Sequence, residues 1–486
     1  MIFSTLKINK NEPIYVQLKN HILNGIENGT INKHSKLPST REVSKFLKIS
    51  RNSVISAYEE LESKGIIITK RGVGSFIIVE CEKNNLEFNI DYNSKVNNYG
   101  NTLRNLDIIK SELPSKKNMI SFKSIAPESH LFNLDDFKRS LLDAWSYENI
   151  NLLNYGYAKG YKPLLDYLSQ YMIDKRVDMT NKDILITNGF TEAFDIILST
   201  LTNPRDVIVC EEPTHNTALK MMKSYGLNIV QVKMDTEGLV LSHLEDALKE
   251  HKPKFGYLIP SYNNPTGIVT KTERRNEIYK LFMEYEVPII EDGFNEELLY
   301  TSSPIDPIAS LCGNGNGVIY IGSLSKILFP GLRIGWITAD KNLIDILESV
   351  KRGRNIHSSF LDQSVLYYYM KSGAFKRYLK NVRKYYRDKF TLVTEMIDKY
   401  IPYESLTGEG GLHVFIELEK NLNSRELLNL CYKDGVTFMP GDIFYDNNNK
   451  SGLNTFRIGF GRVSDDDIQT GIKIIGQNIF KLKNMK

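Results

Sequence analysis

The chemically richest stretch of this chain is Gly322-Ser323-Leu324-Ser325-Lys326-Ile327-Leu328-Phe329-Pro330-Gly331-Leu332-Arg333-Ile334-Gly335-Trp336. A lysine in a buried, cation-lined turn gives up its proton more easily and can form a Schiff base with a carbonyl. The hydroxyls of Ser323 and Ser325, with the guanidinium fork of Arg333, suit a phosphate dianion. A lone lysine is ordinarily a solvated surface charge. The complete S-x-S-K-x-x-x-P-G-x-R-x-G pattern points to chemistry instead.

Three further stretches fit a phosphorylated aromatic aldehyde. Val287-Pro288-Ile289-Ile290-Glu291-Asp292 reads as a strand ending in a carboxylate. Asp292 could pair with a protonated pyridine nitrogen and keep the ring an electron sink; alone, it would be read as a helix cap. Asn264, in Ser261-Tyr262-Asn263-Asn264-Pro265-Thr266-Gly267, can donate its amide to a phenolate oxygen, although Asn-Pro by itself is a common turn signal. In Thr187-Asn188-Gly189-Phe190-Thr191-Glu192-Ala193, the amides of Gly189, Phe190 and Thr191 open a helix, and helix N-termini bind phosphate.

These residues need a scaffold. From Met119 onward, short β-rich runs (DILIT, DVIVC, FGYLIP, VPIIED, GVIYIGS) alternate with helical patterns. Such alternation implies an α/β fold built on a mainly parallel sheet flanked by crossover helices. The 486 residues exceed one hydrophobic core. The expected division is 1–80, a small patterned domain; 81–118, a linker rich in Asn, Lys and Ser with a short helix around Thr102–Leu113; and 119–486, the large domain.

In the first segment, Pro13 to Gly25 is a candidate helix, with Tyr15, Leu18, Ile22 and Ile26 on one face. Ser39 and Glu42 form a capping box for a second helix, with Val43, Phe46 and Leu47 as its buried face. After a turn at Lys48-Ile49-Ser50-Arg51, Ser50 caps a third helix with Val54, Ala57, Tyr58 and Leu61 inward, closed by Gly65. Ile66–Thr69 and Ser75–Val79 then make a hairpin with the basic tip Lys70-Arg71-Gly72-Val73-Gly74. That order is a winged helix-turn-helix. Arg51, Asn52 and Ser53 would reach base edges. Arg41, Lys70 and Arg71 suit phosphates, beside Ser39, Thr40 and Ser50, while Gly72 and Gly74 let the wing approach the duplex. Residues 1–80 hold twelve Lys/Arg and seven Asp/Glu, a balance of +5 that leaves −1 for the other 406 residues. A basic small domain fits a polyanion partner. The competing reading is an oligomerisation domain.

Composition narrows the field. The chain is 41% hydrophobic and 25% charged, as soluble globular proteins are. No apolar run reaches the roughly 18 residues needed to span a bilayer, and the N-terminus lacks the order of a signal peptide. Cys81, Cys210, Cys312 and Cys431 lie far apart, which argues against disulfides or zinc and fits a cytoplasmic location. Each is read as a packing residue, with a reactive thiol as the alternative.

Residues 13–77, with PIYVQLKNHILNGI, LPSTREVSKFLKISRNSVISAYEELESKGII and RGVGSFI, resemble the GntR-type winged helix. From about Ser121 to Arg457, the motifs above resemble the fold-type I aminotransferase family. The order of the two, with the linker, resembles the MocR subfamily of regulators. This resemblance implies a small C-terminal α+β subdomain and pyridoxal 5′-phosphate (PLP) held as an internal aldimine at Lys326. It implies Asp292 on the pyridine nitrogen and Asn264 on the ring oxygen. Phosphate contacts would come from Ser323, Ser325, Arg333 and the Gly189–Thr191 amides, with Tyr155 reaching the phosphate of a second subunit in a homodimer. Arg457 would grip a substrate carboxylate. His215 stands where the family usually stacks an aromatic on the ring. Phe294 stands where related regulators usually place a tyrosine on the ring oxygen, which puts efficient transamination in doubt.

The expected function is thus a DNA-binding regulator that senses an amine, an amino acid or PLP itself at Lys326. The rival is a working aminotransferase with an accessory head. A cofactor-free body is disfavoured, because the lysine and the phosphate residues are all present.

Overall fold

The computed structural model describes residues 2–9, 12–79, 90–107, 113–114, 117–300, 305–446 and 451–485. The chain separates into two compact units, Met1–Lys95 and Val96–Lys486.

In the first unit, α1 (Ile14–Glu27), α2 (Thr40–Leu47) and α3 (Arg51–Ser63) precede an antiparallel hairpin, β1 (Ile67–Lys70) and β2 (Gly74–Ile77). The capping box is present: the Glu42 amide donates to Ser39 Oγ at 3.2 Å, and the Ser39 amide donates to Glu42 Oε2 at 2.7 Å. Lys48, in the left-handed region at φ 54°, ends α2, and Ser50 caps α3. Leu18, Ile22, Val43, Val54, Ala57, Leu61, Ile67 and Ile77 meet in one core.

Two expected core residues are exposed, and Leu47 is half-buried. Phe46 is 48% exposed. At about 100° per residue, Leu47 lies some 40° to one side of Val43 and Phe46 some 60° to the other, and the contact face turns toward Leu47. Tyr15 is 40% exposed, because the core closes one turn later, at the fully buried Leu18. The helix expected at Thr102–Leu113 is observed at Asn98–Asn105; residues 108–112 lie outside the described residues, as do Cys81 and most of the expected linker before residue 90.

The second unit is built on eight strands: β3 (Lys182–Thr187), β4 (Val207–Glu212), β5 (Asn228–Asp235), β6 (Gly238–Leu239), β7 (Phe255–Leu258), β8 (Ile289–Asp292), β9 (Val318–Ser323) and β10 (Gly335–Asp340). Their order is β3-β10-β9-β8-β7-β4-β5-β6. The pairs β9–β8, β8–β7, β7–β4 and β4–β5 are parallel, while β10 runs antiparallel to both neighbours. Strand side chains alternate between faces, and two apolar clusters follow. Ile184, Val209, Leu258, Ile289, Val318 and Trp336 join one. Leu185, Ile208, Tyr257, Ile290, Ile319 and Ile337 join the other. Helices therefore cover both faces, as a buried mainly parallel sheet requires.

A second, antiparallel sheet of Ser405–Thr407, His413–Glu417, Thr455–Gly459 and Met439–Pro440, with helices Ser424–Lys433 and Asp465–Asn484, forms the smaller α+β part. Cys210, Cys312 and Cys431 are buried and, among the described residues, unpaired, in keeping with a packing role. Among the described residues, no helix is long and apolar enough to cross a membrane.

Candidate functional site

Parallel strands deliver their C-terminal ends to one edge of a sheet, and crevices there bind ligands. β8 ends at Asp292, which is 4% exposed and accepts a 2.9 Å hydrogen bond from the Tyr257 hydroxyl on neighbouring β7. Burial pushes the Asp292 carboxyl up to about 7; Glu296 adds to the rise and the Tyr257 bond opposes it.

β9 leads into the turn bearing Lys326. Burial, then the guanidinium groups of Arg457, Arg462 and Arg333, push its ammonium down to about 8. The lysine thus stands among three guanidinium groups.

β3 ends at Thr187, and the chain turns through Asn188 and Gly189 into α4 (Phe190–Leu201). Gly189 adopts φ 86°, ψ −176°, and a Cβ there would lie 3.1 Å from Arg333 Nη2. Arg333 Nη2 donates to the Asn188 carbonyl at 2.7 Å, and Nη1 reaches Ser325 Oγ at 3.4 Å. A Cβ on Gly335 would stand 2.9 Å from the Gly189 Cα and 2.7 Å from the Gly322 carbonyl. The two turns can approach only because the strand between them starts with glycine. The helix terminus, Arg333, Ser323 and Ser325 therefore form one cup, and the first-turn amides at Phe190 and Thr191 have no intrahelical acceptors.

β4 runs into Glu212-Pro213-Thr214-His215, and His215 is the residue before helix Asn216–Ser224. Its ring lies 5.3 Å from that of Phe190. Burial pushes the imidazole down to about 3, with Lys326 and Arg457 adding to the effect, so it is neutral.

Arg457, on Thr455–Gly459, donates from Nη1 to Asn264 Oδ1 at 2.7 Å and from Nη2 to the Lys123 carbonyl at 3.0 Å. Its guanidinium lies 5.2 Å from the Phe444 ring centroid, and among the described residues its buried Nε has no partner. Asn264 spends its oxygen on Arg457, which aims the amide's donor end elsewhere. His413, beside Arg457, is buried, and its Nε2 lies 3.1 Å from the Asn263 carbonyl. Phe294 packs 6.2 Å from the His413 ring.

The fold thus unites Lys326, Arg333, Gly189, His215, Asn264 and Arg457, with Asp292 anchored at the strand end. Tyr155 stands apart: it is 83% exposed, with its ring 5.9 Å from that of His357. The donor set fits PLP. A cup of amides, hydroxyls and guanidinium suits a phosphate, a buried carboxylate suits a pyridinium, and an unsatisfied guanidinium nitrogen awaits an acceptor.

Sequence reading missed Tyr257, His413 and Arg462. Tyr257 lies in the run FGYLIP, read only as a strand, and His413 and Arg462 belong to no motif.

In the first unit, Arg41, Arg51, Asn52, Lys70 and Arg71 are exposed. Arg51 Nε reaches Thr40 Oγ1 at 3.4 Å, and Ser53 sits half-buried beside it. Gly72 and Gly74 adopt φ 78° and 123° at the hairpin tip, and the Lys36 side chain lies where a Cβ on Gly74 would point. Lys36 is a basic contributor to the wing that its position in the sequence did not reveal.

The aminotransferase class I and II family matches residues 114–475, and the family of bacterial regulatory proteins called gntR matches residues 14–77. The chain is 31% identical over 335 residues to aromatic-amino-acid aminotransferase 1 of Thermococcus litoralis, covering 67% of this chain and 80% of that one. It is 28% identical to the uncharacterized HTH-type transcriptional regulator YdfD of Bacillus subtilis, over 99% of both. Among solved structures, LysN, the alpha-aminoadipate aminotransferase of Thermus thermophilus complexed with N-(5′-phosphopyridoxyl)-L-leucine, superposes with a TM-score of 0.74 at 26% identity. That match covers 82% of this chain and all of the other.

Proposed function

From the premise that this chain belongs to the aminotransferase class I and II family and carries a gntR-family DNA-binding head, we propose that it is a MocR-type transcription regulator whose PLP site senses a small amine or amino acid. Two relatives aligned over nearly the whole chain, YdfD and YisV of Bacillus subtilis, carry the name HTH-type transcriptional regulator. The observation that carries the reading is the convergence of Lys326, Arg333, Asn264 and Arg457 on one site in a chain whose head exposes Arg51 and Asn52.

Bound PLP supplies an aldehyde that condenses reversibly with primary amines, on a ring that withdraws electrons. The chain's own residues do the rest. Lys326 presents an amine with a lowered proton affinity. Arg333, Ser323, Ser325 and the α4 amides would hold the phosphate, and His215 would offer its ring face. Asn264 would donate to the ring oxygen, and Asp292 would pair with the ring nitrogen. Arg457 takes the carboxylate of an amino acid effector, bidentately as its fork allows. An amine or amino acid effector taken up at the site would change which contacts Lys326 and Arg457 make. That shifts the populations of head arrangements with a coupling on the order of 1–3 kcal/mol.

The partner is double-stranded DNA, read by α3 and gripped by the β1–β2 tip. A second copy of the chain is the other partner. Helix Leu134–Glu148 and the following turn expose Leu142, Trp145, Ile150 and Leu153 in a row leading to Tyr155. An exposed apolar row of this kind marks an association surface, and Tyr155 would complete the phosphate site of the partner. Two heads per dimer imply paired half-sites.

The test is a footprint upstream of the chain's own and neighbouring genes, with and without PLP and candidate amines. Protection of paired half-sites that changes with PLP or an amine is expected; no protection under any condition refutes the regulator. The complete set of Lys326, Asp292 and Arg457 also supports a second reading, a working aminotransferase. Turnover with common amino donors at about 1–10³ s⁻¹ would favour it.

A further inference from the structure

Asp292 is surrounded by groups that disfavour its charge. It is 4% exposed at the end of β8, Glu296 on its own following loop raises its proton affinity, and Glu211 on β4 is a buried neighbouring carboxyl. Among the described residues, one side chain donates a hydrogen bond to it, the Tyr257 hydroxyl at 2.9 Å to Oδ2. Tyr257 lies on β7, between β8 and β4, in register with Ile290 and Cys210. Its ring is fixed on this face by Phe194, at a centroid distance of 5.0 Å, and by Phe190, at 6.2 Å. The phenol is fully buried, and burial and Asp292 both raise its pKa, so it stays protonated and can donate. A hydrogen bond to the charged form of a carboxylate favours that form.

We propose that Tyr257 is a positioning residue that holds Asp292 as an anion. Its one hydrogen bond to Oδ2 leaves the remaining acceptor capacity of the carboxylate for a protonated pyridine nitrogen. The inference rests on the PLP reading above and specifies its regulation: the phenol decides whether the proton shared between ring nitrogen and carboxylate resides on the nitrogen. Packing alone would need the ring of Tyr257 but not its oxygen.

Tyr257→Phe keeps the ring and removes the donor. The full-length protein is loaded with PLP labelled with ¹⁵N at the ring position, and the resonance is followed from pH 6 to 9, with Asp292→Asn as the unprotonated reference. The wild type is expected at the protonated pyridinium position. Y257F is expected to move most of the way toward the Asp292→Asn position, with a PLP dissociation constant raised roughly tenfold, the worth of one charge-assisted hydrogen bond. Should Y257F not fold, 4-aminophenylalanine at position 257, a weaker donor of nearly the same size, is expected to move the resonance part of the way toward the Asp292→Asn position. A Y257F resonance that coincides with the wild type, or an amino-substituted protein whose resonance does so, overturns the proposal. A wild type that takes up no PLP overturns both this inference and the sensor reading. PLP uptake with an unmoved resonance overturns this inference alone.

Discussion

Lys326 should capture PLP with a pH dependence that its surroundings set. A lysine of ordinary pKa leaves roughly one amine in three thousand unprotonated at pH 7. Pushed down to about 8 by burial, Arg457, Arg462 and Arg333, Lys326 leaves about one in ten, a gain of about 300-fold in reactive amine. The neutral amine is the nucleophile, so the capture rate should climb about tenfold per pH unit below 8 and level off above it. The perturbation is Arg457→Met, which removes the strongest of the three charge effects while keeping an apolar side chain at that buried position. Losing one nearby unit charge at an effective dielectric near 20 should raise the midpoint by on the order of one pH unit and slow capture at pH 7 by about tenfold. Stopped-flow absorbance of apoprotein mixed with PLP between pH 6 and 10 reads the rate. Borohydride fixation followed by peptide mapping identifies the amine. A wild-type midpoint near 10, or a midpoint that stays in place in Arg457→Met, would refute the electrostatic reasoning; an adduct on another lysine would refute the site.

Gly189→Ala should cost about 1–3 kcal/mol of stability in the second unit, because φ 86° with ψ −176° is a region open essentially to glycine alone. The new Cβ, 3.1 Å from Arg333 Nη2, should also weaken PLP binding about tenfold by equilibrium dialysis. Unchanged affinity would show that the cup does not depend on that close approach. Ser39→Ala should destabilise the head by about 1 kcal/mol in urea titrations, through loss of the bond from the Glu42 amide, and Ser39→Gly by less. Arg51→Ala should lower affinity for the specific operator by about 1–3 kcal/mol while leaving the visible spectrum of bound PLP intact, whereas Lys70→Ala should weaken all DNA alike and lower the salt slope by about 1. Equal loss on specific and random DNA for Arg51→Ala would remove it from base recognition.

Much of this molecule is legible from short-range pattern. The capping box at Ser39 and Glu42, the glycine-tipped hairpin and the strand runs ending at Thr187, Asp292 and Ser323 depend on residues within a few positions of one another, and each was observed near its expected place. The Lys326 motif carries its hydroxyls and Arg333 within eleven residues, so its chemistry was readable without a fold. Phe46 was misjudged because periodicity gives a direction around a helix and not what stands opposite it.

The residues that tune the site were beyond the reach of sequence. Tyr257 and Asp292 are 35 positions apart, and Arg457 and Asn264 are 193 apart. Each pair meets because parallel strands bring distant ends to one edge, or because the smaller subdomain folds back over that edge. The sequence by itself determined the element types and the order of the two units, and it singled out Lys326 as the amine proposed to act. Only the tertiary structure decided which buried charges face one another, since the proton affinity of Lys326 or Asp292 depends on distances of a few ångströms across the fold, where desolvation and Coulomb terms are large and local spacing carries no information about them.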